Sequence, residues 1–208
     1  MIEVNRQGEV WVFAEAEAGK LSDVPLELLS KGRELADKLA VQLGAVLLGG
    51  DEIASLGDSL IAHGADKVYV VSDDGVAYCL DAATGKQIWK FFGGLYDSRM
   101  IGNRRMISRW PIRSGVVVDD GMVNFAVGMW TSEGVYVYAL DAKTGKVIWC
   151  NDTNIEFTSA PHFSDNMHGN MPQGYMAASK DKIVFNNGHA GCFVYDRKSG
   201  KKLAGKNW

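Results

Sequence analysis

The sequence begins as α/β and continues as all-β, and three observations carry that division. Short apolar runs at Glu9–Ala14, Ala45–Leu48 and Val68–Val71 alternate with two helical patterns. That β-α-β-α-β order is the start of an open parallel sheet. From Asp66 onward the pattern changes to strand, turn, strand, with β-branched and aromatic runs on either side of Asp-Asp-Gly and Thr-Gly-Lys turns. Finally, the turn recurs, as Thr84-Gly85-Lys86, Thr144-Gly145-Lys146 and Ser199-Gly200-Lys201. A strand-and-turn repeat of about 60 residues argues for propeller blades with long inserts. The expectation is an α/β N-terminal doubly wound (Rossmann-like) fragment over residues 1–71, followed by all-β partial propeller blades, two to three of them, over residues 72–208.

Each element has a local reason. Pro25 suits the first turn of a helix, with Ser22 or Asp23 as its cap. Leu28, Gly32, Leu35, Ala36, Leu39, Ala40 and Leu43 fall at helical spacing and predict one buried stripe, with Gly44 as the stop. Ala45–Leu48 is a continuous apolar run of the kind buried on both faces of a parallel sheet, broken by Gly49-Gly50. Asp51 to His63 reads as a second helix ended by Gly64, and Val68–Val71 as the third strand. Asp73-Asp74-Gly75 then turns the chain into Val76–Leu80, and the Thr84 turn leads into Gln87-Ile88-Trp89. Leu95–Pro111 reads as a solvated connecting loop carrying Arg99, Arg104, Arg105 and Arg109, with Arg113 close by; an anion or partner site is the other reading. Ser114–Asp120 is a strand, and Asn151–Met171 a long polar loop.

Two family resemblances follow from these residues. Val10-Trp11-Val12-Phe13-Ala14-Glu15, the Leu26-Glu27-Leu28-Leu29 opening, Gly32-Arg33-Glu34-Leu35-Ala36 and Gly64–Val71 together resemble the N-terminal domain of the electron transfer flavoprotein α-subunit, over about Glu9 to Val71. The resemblance implies a domain that packs against a β-subunit, with FAD held mostly by a separate C-terminal domain. Ala139–Trp149 (ALDAKTGKVIW), and nearly so Tyr78–Trp89, resembles the repeat of PQQ-like (quinoprotein-type) β-propellers, over about residues 66–208. In that family the glycine and tryptophan lock neighbouring blades, which implies packing roles for Gly85, Trp89, Gly145 and Trp149. The third repeat departs, with Leu203 expected where the tryptophan stands. Asp66–Val71 fits both families, so the chain reads as a chimera joined at a shared strand. A natural fusion, an engineered recombinant and a sequence-assembly error all fit that reading. The join predicts a small three-stranded parallel core extended antiparallel by the strands of the first blade.

Composition narrows the chemistry. The net charge of −3 comes from 22 basic and 25 acidic residues, without the basic footprint of a nucleic-acid binder. No apolar run is long enough to span a membrane, and Met1–Glu9 is polar, which favours a cytoplasmic location. Cys79, Cys150 and Cys192 have no C-x-x-C spacing and read as small strand residues. His162 and His168, with Asp165 between them, lack a third metal partner; His63 reads as a helix-end residue and His189 as a turn residue. Gly44-x-x-x-x-Gly49-Gly50 is no phosphate loop, since no Lys-Ser/Thr follows, although the strand ends at Leu48–Gly50 are where an open sheet would take a nucleotide or flavin. FAD and PQQ are implied by the families alone, and no catalytic, cofactor or metal residue is expected within the chain. A quinoprotein enzyme has a closed ring and usually a vicinal cysteine pair, and this chain has no Cys-Cys. The sequence therefore favours a non-catalytic docking role with a β-subunit-like partner. A propeller scaffold that self-associates through open blade edges is the second reading, and a flavin- or quinone-dependent oxidoreductase fragment the third.

Overall fold

A computed structural model describes residues 9–17, 20–49, 56–81, 84, 86–102, 105–130, 133–153, 172–187 and 191–205. In chain order the elements are β1 (Val10–Ala14), β2 (Ala16–Glu17), β3 (Lys20–Leu21), α1 (Asp23–Leu39), β4 (Leu43–Gly49), α2 (Gly57–Ala62) and β5 (Lys67–Ser72). There follow β6 (Val76–Asp81), β7 (Gln87–Phe92), β8 (Arg99–Gly102), β9 (Arg105–Ser108), β10 (Val117–Asp119) and β11 (Met122–Val127). The last six are β12 (Tyr136–Asp141), β13 (Val147–Asn151), β14 (Pro172–Ala178), β15 (Lys182–Asn187), β16 (Cys192–Asp196) and β17 (Lys202–Ala204). Most of the described chain is strand, in several sheets.

The first sheet has the order β1-β4-β5-β6-β7. β1, β4 and β5 run parallel; β6 and β7 continue the sheet antiparallel. β5 is paired on both sides, to β4 through Val70↔Leu47 and to β6 through Val70↔Tyr78. The second sheet is β10-β11-β12-β13 and the third β14-β15-β16-β17, with all their pairings antiparallel.

The layers follow from alternation along the strands. Val12, Ala14, Ala45, Leu47, Val68 and Val70 form one core with Leu29 and Ala36 of α1 and Leu60 of α2. Both helices thus lie on the same face. The opposite face, with Val46, Tyr69, Val71, Ala77, Cys79 and Trp89, packs on Val123, Phe125, Val127 and Leu140 of the second sheet. The far face of the second sheet, with Ala126, Val137, Ala139 and Trp149, packs on Ile183, Phe185, Phe193 and Tyr195 of the third. The order of layers is helices, first sheet, second sheet, third sheet. This corrects the doubly wound expectation: where a second layer of helices would cover the parallel strands, an antiparallel sheet does so.

Helix α1 differs from its sequence pattern in three ways. It ends at Leu39, because Ala40 turns left-handed (φ 56) and returns its N–H to Ala36 and Asp37. Gly44 is therefore not its stop but the second residue of β4, where a Cβ would lie 2.3 Å from the Trp11 ring. The buried stripe is Pro25, Leu29, Gly32 and Ala36, not the one through Leu28, Leu35 and Leu39, which are 49%, 48% and 36% exposed. Gly32 decides this. A Cβ there would lie 2.9 Å from Leu43 and 3.2 Å from Val12, so the small residues let the helix down onto the sheet and the leucines beside them face outward. Ser22 occupies the N-cap position, but its hydroxyl makes no capping bond.

Elsewhere the sequence pattern and the structure agree closely. β10 covers the middle of the expected Ser114–Asp120 strand, and Ser114 itself bridges to Gly174. Leu95–Pro111 is more ordered than a plain loop, since β8 and β9 form a hairpin within it. Of the second expected helix, α2 is the described part, and the Gly49-Gly50 break and residues 51–55 fall at or outside the described residues. Residues 154–171, most of the expected polar loop, also lie outside them.

Candidate functional site

Two constellations stand out, one a repeated internal lock and the other an open groove. The lock is built from a turn and a tryptophan. In the turn after β12, the Asp141 carboxylate accepts from the Thr144 amide (2.8 Å) and hydroxyl (2.7 Å), and the Gly145 amide donates to the Asp141 carbonyl (2.8 Å). Asp196 and Ser199 repeat this (2.8 and 2.7 Å), as do Asp81 and Thr84 (2.9 and 2.6 Å). The Thr144 hydroxyl and the local amides hold the Asp141 carboxyl below its ordinary value, and Ser199 does the same to Asp196. The turns at Asp141 and Asp196 thereby present a glycine in left-handed conformation, Gly145 at φ +68 and Gly200 at φ +69.

The tryptophan of the preceding sheet lies on that glycine. Trp89 donates its indole N–H to the Ala142 carbonyl (3.0 Å), and a Cβ on Gly145 would meet its ring at 2.7 Å. Trp149 donates to the Arg197 carbonyl (2.9 Å), and a Cβ on Gly200 would meet its ring at 2.4 Å. Gly85 lies outside the described residues. The register explains the periodicity. Tyr69, Cys79 and Trp89 form one rung across the first sheet, Asn124, Ala139 and Trp149 the matching rung of the second, and Val184, Val194 and Ala204 that of the third. Ala204, not Leu203, thus stands where the tryptophan would be: it follows Gly200 at the spacing by which Trp89 follows Gly85 and Trp149 follows Gly145, and all three sheets carry the same register shift at this point. The lock carries no reacting group. Burial pushes the Cys79 thiol up to about 11 and the Tyr69 hydroxyl well above its ordinary value.

Arg197 adds a second fastener. It is 3% exposed, and its guanidinium reaches the Asp119 carboxylate and carbonyl and the Ser179 carbonyl. It ties β10 to the third sheet.

The groove lies between edge strand β1 and α1, with a volume of about 440 Å³. Val10, Trp11, Val12 and Phe13 form one wall; Val24, Leu28, Gly32 and Leu35 form the other. Trp11 leans on Tyr69, ring centres 5.3 Å apart. Phe13 meets Tyr175 of β14 edge-on at 5.0 Å, and the Tyr175 hydroxyl donates to Glu15 (2.9 Å), which raises its pKa. The third sheet thus reaches back to β1. Lys31 and Glu15 are the charged lining residues. One lysine facing apolar walls does not match the phosphates of FAD or the carboxylates of PQQ, and this groove fits neither cofactor. It suits an apolar surface.

The remaining candidates do not converge. Arg99 faces Asp97 (3.5 Å), Arg109 pairs with Glu133 (3.0 Å) and Arg113 lies 4.0 Å from Asp73, so these cations are each set against a carboxylate. Arg104 and the side chain of Arg105 lie outside the described residues, as do His162, Asp165, His168 and His189. His63 is exposed, its Nδ1 2.7 Å from the Ser59 carbonyl. Cys79 is buried, and Cys150 and Cys192 are exposed. Among the described residues no group of three or more His, Cys, Asp and Glu side chains could hold a metal ion. None of the described helices is long and apolar enough to cross a membrane.

Comparison with known proteins bears on the first of the two resemblances. The electron transfer flavoprotein domain model matches residues 10–106. The electron transfer flavoprotein subunit alpha of Clostridium acetobutylicum is 49% identical over 69 residues, 33% of this chain and 20% of that protein. Its counterpart from Megasphaera elsdenii is 45% identical over 83 residues, covering 40% and 24%. Protein FixB of Clostridium saccharobutylicum is 49% identical over 76 residues, covering 36% and 22%. Among solved structures, the quinohemoprotein alcohol dehydrogenase ADHIIG from Pseudomonas putida HK5 aligns over 66% of this chain and 18% of its own, with 25% identity and a TM-score of 0.45. BamB from Moraxella catarrhalis aligns over 67% and 37%, with 16% identity and a TM-score of 0.45. The chain spans about a fifth of the length of the curated relatives it matches, and residues 10–106 carry an electron transfer flavoprotein domain of the α-subunit kind.

Proposed function

We propose that the α/β part is a docking module of the electron transfer flavoprotein type, non-catalytic in itself, that engages a β-subunit-like flavoprotein partner in the cytoplasm. The family match over residues 10–106 carries the reading. The β1–α1 groove and the outward Leu28 and Leu35 supply an uncovered apolar surface of the right kind. The reading assigns FAD to other protein, since the groove does not suit it. Tagged chain mixed with a β-subunit-type electron transfer flavoprotein should retain it on a column, and Leu28→Asp with Leu35→Asp should weaken retention about tenfold or more. Failure of the unaltered chain to retain it would sink the reading.

A second reading is favoured by the Trp89 and Trp149 locks, and treats residues 72–208 as a partial propeller serving as a scaffold. It also allows self-association. An oxidoreductase fragment would carry its own cofactor, and under either reading the purified chain should release no flavin or quinone on denaturation.

A further inference from the structure

We propose that edge strand β1 and the outward stripe of α1 form a homodimer interface, in which two copies of this chain join their first sheets antiparallel about a two-fold axis at Val12. The inference goes beyond the docking reading, which places a different occupant on the same surface.

The strand is singled out by what it lacks. Among the described residues the three larger sheets end in six edge strands, β1, β7, β10, β13, β14 and β17. Edges are ordinarily blunted by bulges, charges, proline or short length. β7, β13 and β17 each carry an extra, unpaired residue, Ile88, Ile148 and Leu203, and β14 carries Pro172 and a register shift of its own. β10 has three residues and ends in Asp119. β1 is Val-Trp-Val-Phe-Ala, uncharged and paired to β4 without a break. Val10 donates its amide to the Gln42 carbonyl, on the β4 side. In a parallel pair alternate residues make the bonds, so the amides and carbonyls of Trp11 and Phe13 point away from β4, where no strand is paired among the described residues.

Helix α1 identifies the occupant as a second copy. Val24, Leu28 and Leu35 line the groove beside β1 and are exposed. Beyond them, at helical spacing, runs the exposed row Glu27, Lys31, Glu34 and Lys38. Reading that row backwards reverses its signs, so an antiparallel copy sets Glu27 against Lys38 and Lys31 against Glu34. The centre of the row falls between Gly32 and Arg33, and Gly32 sits on Val12, where a Cβ would lie 3.2 Å from the valine. An axis at Val12 therefore serves strand and helix together. In the strand it sets Trp11 against the partner's Phe13, which gives the outward amide and carbonyl of each a bond. In the helix it turns the outward leucines of the two copies toward each other, under charges that alternate to match. Both helices stay on one face of a continuous sheet. The contact is isologous and closed, with an apolar centre and a charged rim.

Sedimentation of the 208-residue chain over a concentration series tests this. A monomer–dimer equilibrium without larger species is expected. Glu27→Lys sets like charges together twice, by symmetry, and should weaken the dimer about threefold or more. Glu27→Lys with Lys38→Glu restores the alternation and should recover it. Both positions are exposed, so the variants should keep the wild-type circular dichroism. The Trp11 and Phe13 amides should exchange slowly in a concentrated sample and fast in a dilute one. Ile148→Lys, on edge strand β13, should leave the dimer intact. A wild type that stays monomeric at sub-millimolar concentration overturns the proposal. So does a dimer indifferent to Glu27→Lys, one that the double variant fails to restore, one whose Trp11 and Phe13 amides exchange alike at both concentrations, or one that Ile148→Lys abolishes. Flavoprotein capture by a chain that never dimerises overturns this proposal alone, and a dimer that captures no flavoprotein counts against the docking reading alone.

Discussion

Gly145 sits at φ +68 with the Trp89 ring across its missing side chain. An alanine there meets two costs at once, the left-handed backbone and a contact that forces the indole away from Ala142. Gly145→Ala should lower stability by about 2–4 kcal/mol, read as a lower urea midpoint with an unchanged m-value. An equal stability would show that the indole does not depend on this approach. The turn beneath it predicts a pH effect. Because Thr144 holds the Asp141 carboxyl below its ordinary value, its contribution is present above that value and lost as pH falls through the depressed one. Thr144→Val removes the hydroxyl and leaves the amide, so the Asp141 titration followed by NMR should move part of the way back up. Near neutral pH the variant should lose less than about 1 kcal/mol, the carboxylate being solvated, and that difference should vanish in strong acid. At this scale the sequence was informative where chemistry repeats. Thr/Ser-Gly-Lys and the two tryptophans marked their places, and the spacing from each glycine to its tryptophan, carried to Gly200, ends on Ala204, beside the bulkier Leu203 that matching by apolar character picks out instead.

Among elements, α1 shows why periodicity alone misleads. It carries two apolar stripes, and the one with the larger side chains is the more hydrophobic on paper. Gly32 reverses the choice, because close approach to Val12 and Leu43 is open only to small residues. Gly32→Leu should therefore push the helix off the sheet and cost about 3 kcal/mol or more, whereas Leu35→Ala should change stability by under about 1 kcal/mol. Comparable losses from the two would show that the stripe has been assigned wrongly. Arg197 was equally hard to foresee, since a lysine-rich turn hides which cation turns inward. Its removal leaves Asp119 and the Ser179 carbonyl unanswered. Arg197→Met should loosen the third sheet by about 2–4 kcal/mol, seen as faster amide exchange in β15 and β16 before β4 and β5.

For the whole molecule, the shared strand was legible because Asp66–Val71 satisfies both patterns at once, and β5 is paired on either side. Helix packing and sheet stacking act on opposite faces of that one strand, through Val68 and Val70 on one side and Tyr69 and Val71 on the other. Hydrogen exchange read by mass should therefore show β4, β5 and β6 opening together, at a rate common to all three. A β4 that opens well before β6 would make the two parts separate units. What the sequence left out was the face-by-face assignment, because continuous apolar runs such as Ala45–Leu47 and Val68–Val71 do not say what covers each side.

The tryptophan locks also give the stack a direction in time. Trp89 is made before Ala142 and Gly145, and Trp149 before Arg197 and Gly200, so each sheet leaves the ribosome with its fastening side chain bare and its receptor still to come. The helices need no such wait, because Leu29, Ala36 and Leu60 find their partners as soon as β5 and β6 follow. A nascent chain halted between β13 and β14 should hold a finished helical layer beside an unburied Trp149, and its emission should shift to the blue only once the third turn has been synthesised.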